Sequence, residues 1–108
     1  MTALEVKEAL GLQELCCPVP EKQVNGGYCG DLLSFVMGRA SSGNVWVTIM
    51  TNINTVAVAA LTDVACVILA DGSVPEESVI QRAREQEVNL FVSEQPSYEV
   101  CAALGKLI

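Results

Sequence analysis

The chain contains no histidine. That absence removes the Ser-His and Cys-His nucleophile pairs and the imidazole, the commonest metal ligand. Positive charge is scarce: six Lys and Arg stand against thirteen Asp and Glu, for a net charge of −7. Binding to a phosphate backbone relies on cations, so no nucleic-acid partner is expected. Long apolar runs are also missing. The longest, Val64–Ala70, falls far short of the ~18 residues that signal a membrane span. Met1–Leu10 interleaves Glu5, Lys7 and Glu8 with apolar residues, so no signal peptide is expected. A Gly-rich phosphate cradle is absent too. Gly105-Lys106 is followed by Leu107 instead of Ser or Thr, and Val100 stands where a P-loop would begin with glycine. Five cysteines cannot all pair within one chain and contain no Cys-x-x-Cys spacing. The expectation is a reducing, cytoplasmic setting with no membrane association.

What the chain does have is apolar bulk. Hydrophobic residues make up 51% of 108 positions, and the mean hydropathy is +0.40. Residues 1–108 suit a single domain that buries roughly two-thirds of its unfolded surface. The apolar surplus reads as an interface with another copy.

The organising stretch is Asn44–Leu61. Val45, Val47 and Ile49 alternate with Trp46, Thr48 and Met50, and both sets suit a strand covered on its two faces. Thr51-Asn52-Ile53-Asn54 brings short polar side chains to a helix start. Thr55–Leu61 then has no polar stripe after Thr55, so its helix needs cover on nearly every side. From here the pattern predicts strand 44–50, helix 54–61, strand 64–70, helix 75–86, strand 89–93 and helix 97–106. Upstream, Thr2-Ala3-Leu4-Glu5 has the form of a capping box opening a helix to about Leu10, with Gly11 as its left-handed stop. Short strands are expected over Leu12–Cys16 and Gln23–Tyr28, the second weakened by Gly26-Gly27. A further helix follows, capped by Asp31 and carrying Leu32, Leu33, Val36 and Met37 on one face. Ser73 and Ser97 are expected to cap the last two helices. The fold class is α/β: a three-layer α/β/α sandwich around a mainly parallel sheet, with a βαβαβα C-terminal part. The N-terminal helix and short strands add to its edge.

In such sheets ligands bind beyond the carboxyl ends of the strands. The candidate ligand residues are therefore Thr51, Asn52, Asn54, Thr55 and Asp71. The plainer reading is that Asn52 or Asn54 only caps its helix. Asp31 can likewise be a cap or a ligand-orienting acid. Trp46 fits either a core or a subunit interface, and Val56, Val58 and Ala59 join it as candidate dimer contacts. Cys16, Cys17 and Cys29 form the one cluster relevant to metal or redox chemistry. With no histidine and no fourth ligand nearby, no metal site and no cofactor is expected. Cys66 and Cys101 read as small core residues.

Four segments resemble the small bacterial and archaeal DRTGG-domain proteins: Tyr28-Cys29-Gly30-Asp31-Leu32-Leu33-Ser34, Trp46-Val47-Thr48-Ile49, Asn54–Ala59 and Ser97-Tyr98-Glu99. The resemblance covers most of the chain. It implies a fold similar to the N-terminal, non-kinase domain of HPr kinase/phosphorylase. It also implies an accessory role like that of DRTGG modules appended to phosphotransacetylases and CBS-domain pyrophosphatases, which are associated with dimer contacts and regulation. No Asp-Arg-Thr-Gly-Gly tract occurs; Thr51-Asn52-Ile53-Asn54-Thr55 takes the corresponding turn. Relatives tend to carry glutamine at the position of Met50 and histidine at that of Asn52, so an activity resting on those groups does not carry over. The leading expectation is a non-catalytic, regulatory or ligand-sensing homodimer. Its ligand would be a small molecule, anionic or a nucleotide, and a protein partner is allowed. The alternatives are a small phosphotransfer or nucleotide-related enzyme, and a subunit of a hydrogenase-associated redox complex.

Overall fold

In the computed structural model, which describes residues 1–108, the apolar β-branched runs form the middle of one sheet and the amphipathic segments cover it. The elements are α1 (Ala3–Leu10), β1 (Gln13–Cys16), β2 (Gly26–Cys29), α2 (Leu33–Arg39), β3 (Asn44–Thr48), α3 (Ile53–Thr62), β4 (Cys66–Leu69), α4 (Glu77–Glu85), β5 (Leu90–Val92) and α5 (Ser97–Gly105). The strand order is β1-β5-β4-β3-β2. Strands β2 through β5 pair in parallel, and β1 pairs antiparallel with β5.

Alternation along the central strands sorts their side chains into two cores. Trp46, Val67, Leu69, Leu90 and Val92 face one layer, where they meet Val36 of α2, Val56 and Ala59 of α3, and Val79, Ile80 and Ala83 of α4. Val45, Val47, Cys66, Ile68 and Phe91 face the other, under Ala3 and Val6 of α1 and Val100 and Leu104 of α5. Three successive crossovers stepping the same way along a sheet place their helices on one face, which puts α2, α3 and α4 together. The three-layer α/β/α sandwich with a mainly parallel sheet is thus the observed fold.

The N-terminal strands do not add to one edge as expected; β1 and β2 form opposite edges. β2 also begins at Gly26 rather than Gln23. Gly27 serves helix packing: a Cβ there would come within 3.2 Å of Leu104 Cδ2 and 3.4 Å of the Val45 carbonyl oxygen. β3 stops at Thr48, and Ile49 is exposed. The capping box at Thr2 and Glu5 is present, with both reciprocal hydrogen bonds. Ser73 and Ser97 do not cap; the N-cap positions are Glu76 and Pro96, neither with a side-chain cap bond.

The dimer-contact expectation needs correction. Trp46, Val56 and Ala59 are at most 1% exposed and Val58 is 8% exposed within a single chain. They have little surface left for a second copy, because the sheet and the neighbouring helices already enclose them. The exposed side of α3 is Ile53, Asn54, Ala57 and Leu61.

Asp63 closes α3 in the left-handed conformation, at φ 57°. Its carboxylate accepts hydrogen bonds from Lys22 Nζ and, at 2.6 Å, from Ser42 Oγ. These bonds, Lys22 first, hold its carboxyl below the usual carboxylate range. A depressed folded-state pKa stabilises the fold above the unfolded value and loses that contribution as pH falls through the folded one. Asp63 is largely exposed, so the expected cost of Asp63→Asn at neutral pH is below about 1 kcal/mol. The urea midpoints of wild type and variant should converge once the pH drops below the carboxylate range. A gap that persists in acid would show that the carboxylate charge is not its source.

Candidate functional site

Parallel strands β3, β4 and β5 end on the same side of the sheet, and the turns leading to α3, α4 and α5 gather there. The β3–α3 turn is built by four polar side chains. Thr48 Oγ1 donates to Asp31 Oδ1 at 2.8 Å and accepts from the Met50 N–H at 3.2 Å. Asp31 Oδ1 also accepts from the Ile49 N–H at 3.0 Å. Asp31 therefore stops β3 from the side and does not cap α2, whose N-cap is Leu32. Thr55 Oγ1 donates to the Met50 carbonyl at 3.0 Å, and Asn52 Oδ1 accepts from the Asn54 N–H at 2.9 Å. Asn52 is the helix cap.

Between this turn and the start of α4 lies a groove of about 490 Å³ lined by Thr51, Asn52, Ile53, Val74, Glu76, Ser78 and Val79. Thr51, Thr55, Val56, Pro75 and Val79 close with Leu69 and Leu90 around a gap that has no room for water. The groove is thus a surface cleft with an apolar flank and a polar rim.

Of the five residues expected to bind a ligand, Thr51 and Asn52 line this groove. Thr55 is 2% exposed and committed to the Met50 carbonyl. Asn54 is exposed and does not line the groove. Asp71 sits on the neighbouring turn at φ 58°, where its N–H donates to the Gln95 carbonyl at 2.8 Å. Beside it, Gly72 also has positive φ, and a Cβ there would come within 2.7 Å of Glu94 Oε2. Asp71 therefore serves turn geometry. The residues that sequence reasoning missed are Ile53, Val74, Glu76, Ser78 and Val79. Helical periodicity pointed Val79 into the core, and no local signal marks Ser78 as a groove residue.

The cysteine cluster does not assemble. Cys16 lies in β1 and Cys17 just beyond it, whereas Cys29 lies in β2 at the opposite edge of the sheet. Cys16 Sγ donates to the Val88 carbonyl at 3.3 Å. Cys66 is buried, and burial pushes its thiol up to about 12. No group of three metal-ligating side chains comes together, and no helix is long and apolar enough to cross a membrane.

The architecture defines an α/β sandwich domain with a five-stranded, mostly parallel sheet. Among solved structures it is similar to the crystal structure of the CBS and DRTGG domains of the regulatory region of Clostridium perfringens pyrophosphatase, complexed with the activator diadenosine tetraphosphate. The TM-score is 0.75 at 12% sequence identity, over 95% of this chain and 45% of that one. The likeness is one of fold, and this chain spans less than half the length of its neighbour. No family model matches the sequence, and no curated protein matches it.

Proposed function

We propose that this chain is a non-catalytic, ligand-sensing regulatory domain of DRTGG type that works as a homodimer. The observation carrying the ligand assignment is the groove at the carboxyl ends of β3 and β4, where Thr51, Asn52 and Ser78 offer hydrogen-bonding groups beside Ile53, Val74 and Val79. A mixed lining of this kind, at a strand-end position, suits a small molecule with a polar edge and an apolar face. A nucleotide is the first candidate, because the structural neighbour's regulatory region was crystallised with a dinucleotide activator. Glu76 on the rim opposes a bare polyphosphate, so a divalent cation is expected to accompany it.

The dimer assignment moves from the buried residues to the outer sides of α2 and α3. Leu61 is 73% exposed, Leu32 60%, Phe35 48% and Ile53 40%. Large apolar side chains exposed on one helical layer favour pairing with a second copy in a closed two-fold.

The test is thermal denaturation of the full chain with adenosine mono-, di- and triphosphate and diadenosine tetraphosphate, each with magnesium. At about 100 times Kd, a bound ligand should stabilise the fold by roughly 2.7 kcal/mol. Ser78→Trp should fill the groove and abolish the shift while leaving the unliganded melting temperature close to wild type. If none of the four ligands raises Tm, or if the rise survives Ser78→Trp, the groove is not a nucleotide site. In sedimentation, wild type should run as a dimer and Leu61→Glu as a folded monomer. A wild type that stays monomeric at micromolar concentration would overturn the homodimer.

A further inference from the structure

The opposite face of the sheet carries a second groove, of about 390 Å³, between edge strand β2 and helix α5. Its lining includes Gly27, Tyr28, Cys29, Cys101, Leu104 and Ile108. Gly27 allows α5 to lie close: the nearest approach to a Cβ there is Leu104 Cδ2, at 3.2 Å. This closeness brings two thiols together from distant parts of the chain. Cys29 ends β2 and is exposed, Cys101 lies in the second turn of α5 and is half-buried, and both line this groove. The other cysteines are placed differently. Cys16 and Cys66 are buried, and Cys17 follows β1 at the far edge of the sheet.

We propose that Cys29 and Cys101 form an oxidisable dithiol site that reacts with a small-molecule disulfide and closes as an intrachain bond fastening α5 to β2. Exposure makes Cys29 the attacking group. Its thiolate attacks one sulfur of the small disulfide, forming a mixed disulfide and releasing one small thiolate. Cys101 then gives its proton to solvent, and its sulfur attacks Cys29 Sγ, forming the protein disulfide and expelling the second small thiolate. The two expelled thiolates take up two protons, so the protein loses two electrons and the small disulfide gains them. Burial, together with the neighbouring Cys29, pushes the Cys101 thiol up to about 11, which fits its role as the second, resolving group. The bond would close the groove and give β2, which pairs only with β3, a covalent tie to the last helix.

Trypsin makes the pairing readable. Cleavage after Lys22, Arg39, Arg84 and Lys106 places Cys29 in peptide 23–39 and Cys101 in peptide 85–106, apart from Cys16, Cys17 and Cys66. The native chain is exposed to oxidised glutathione, remaining thiols are blocked with iodoacetamide, and the protein is digested without reductant. The expected result is peptide 23–39 joined to 85–106 as the dominant linked pair, in protein that runs at monomer mass on a non-reducing gel. Cys101→Ser should stop the reaction at a glutathione adduct on Cys29, and Cys17→Ser should leave the link intact. Any of four results with wild type would overturn the proposal: both thiols still free, a lasting adduct on Cys29 with Cys101 alkylated, a link through Cys16 or Cys17, or a link found only at dimer mass.

Discussion

Replacing Trp46 with alanine is expected to destabilise the fold by about 3–5 kcal/mol, a large share of the roughly 5–15 kcal/mol that holds a domain of this kind together. The indole is 0% exposed and packs in the core formed with α2, α3 and α4. Its Nε1–H donates to the Gly30 carbonyl at 2.9 Å, tying the segment after β2 to β3. Alanine would leave a cavity and remove that donor together. Trp46→Phe should cost less, because most of the ring volume remains and the main loss is the partner of the Gly30 carbonyl. Urea denaturation followed by circular dichroism decides the matter, with a lowered midpoint and an unchanged slope as the signature. A Trp46→Ala variant that is as stable as wild type but no longer a dimer would instead restore the tryptophan to an interface.

Asn89→Leu is the second substitution with a large expected cost, about 3–5 kcal/mol. Asn89 is 1% exposed at the entrance to β5. Its Oδ1 accepts from the Val19 N–H at 2.9 Å, and its Nδ2 donates to the Val19 carbonyl at 2.7 Å and to the Ala65 carbonyl at 2.9 Å. One amide thus fastens the Pro18-Val19-Pro20 loop to the start of β4 and β5. Leucine would leave three backbone groups without their partner, at roughly 1–3 kcal/mol for each that stays dry. Asn89→Asp should be worse at neutral pH, since it loses both donations and buries a charge. The Val19 amide should also exchange faster with solvent than in wild type. A loss below about 1 kcal/mol would mean that water replaces the amide.

Asn89 also marks where the sequence stops being legible. It reads as the first residue of a strand, and nothing local reveals that its partners lie in the loop after β1 and at the start of β4. The same limit explains the three misplaced caps. Asp31 has the side chain of a helix cap and stands near a helix start, yet the hydroxyl of Thr48 and the N–H of Ile49 claim it. Ser73 and Ser97 carry capping side chains too, but α4 and α5 begin after Glu76 and Pro96. Thr2 and Glu5 were readable because a capping box is closed within four residues. The candidate ligand set divides on the same principle. Thr51 and Asn52 line the groove because they sit on the turn itself, whereas Glu76 and Ser78 reach it only because α4 packs beside α3.

Alternation in Asn44–Thr48, the β-branched run at Cys66–Leu69 and the helical spacing in Glu77–Glu85 determined the elements, the order in which they alternate and the mainly parallel sheet. Those are consequences of short-range periodicity and of the few ways a strand–helix–strand unit can pack. The absence of histidine, equally early, left the chain without any imidazole-based nucleophile pair. Only the tertiary structure decided that β1 and β2 take opposite edges, that Val56, Val58 and Ala59 of α3 are enclosed within one chain while Leu61 stays exposed, and that Cys29 and Cys101 line one groove while Cys16 and Cys17 lie at the other edge of the sheet. Each of these depends on which distant surfaces meet, and burial and hydrogen-bond partners across the chain are settled by packing the whole domain at once.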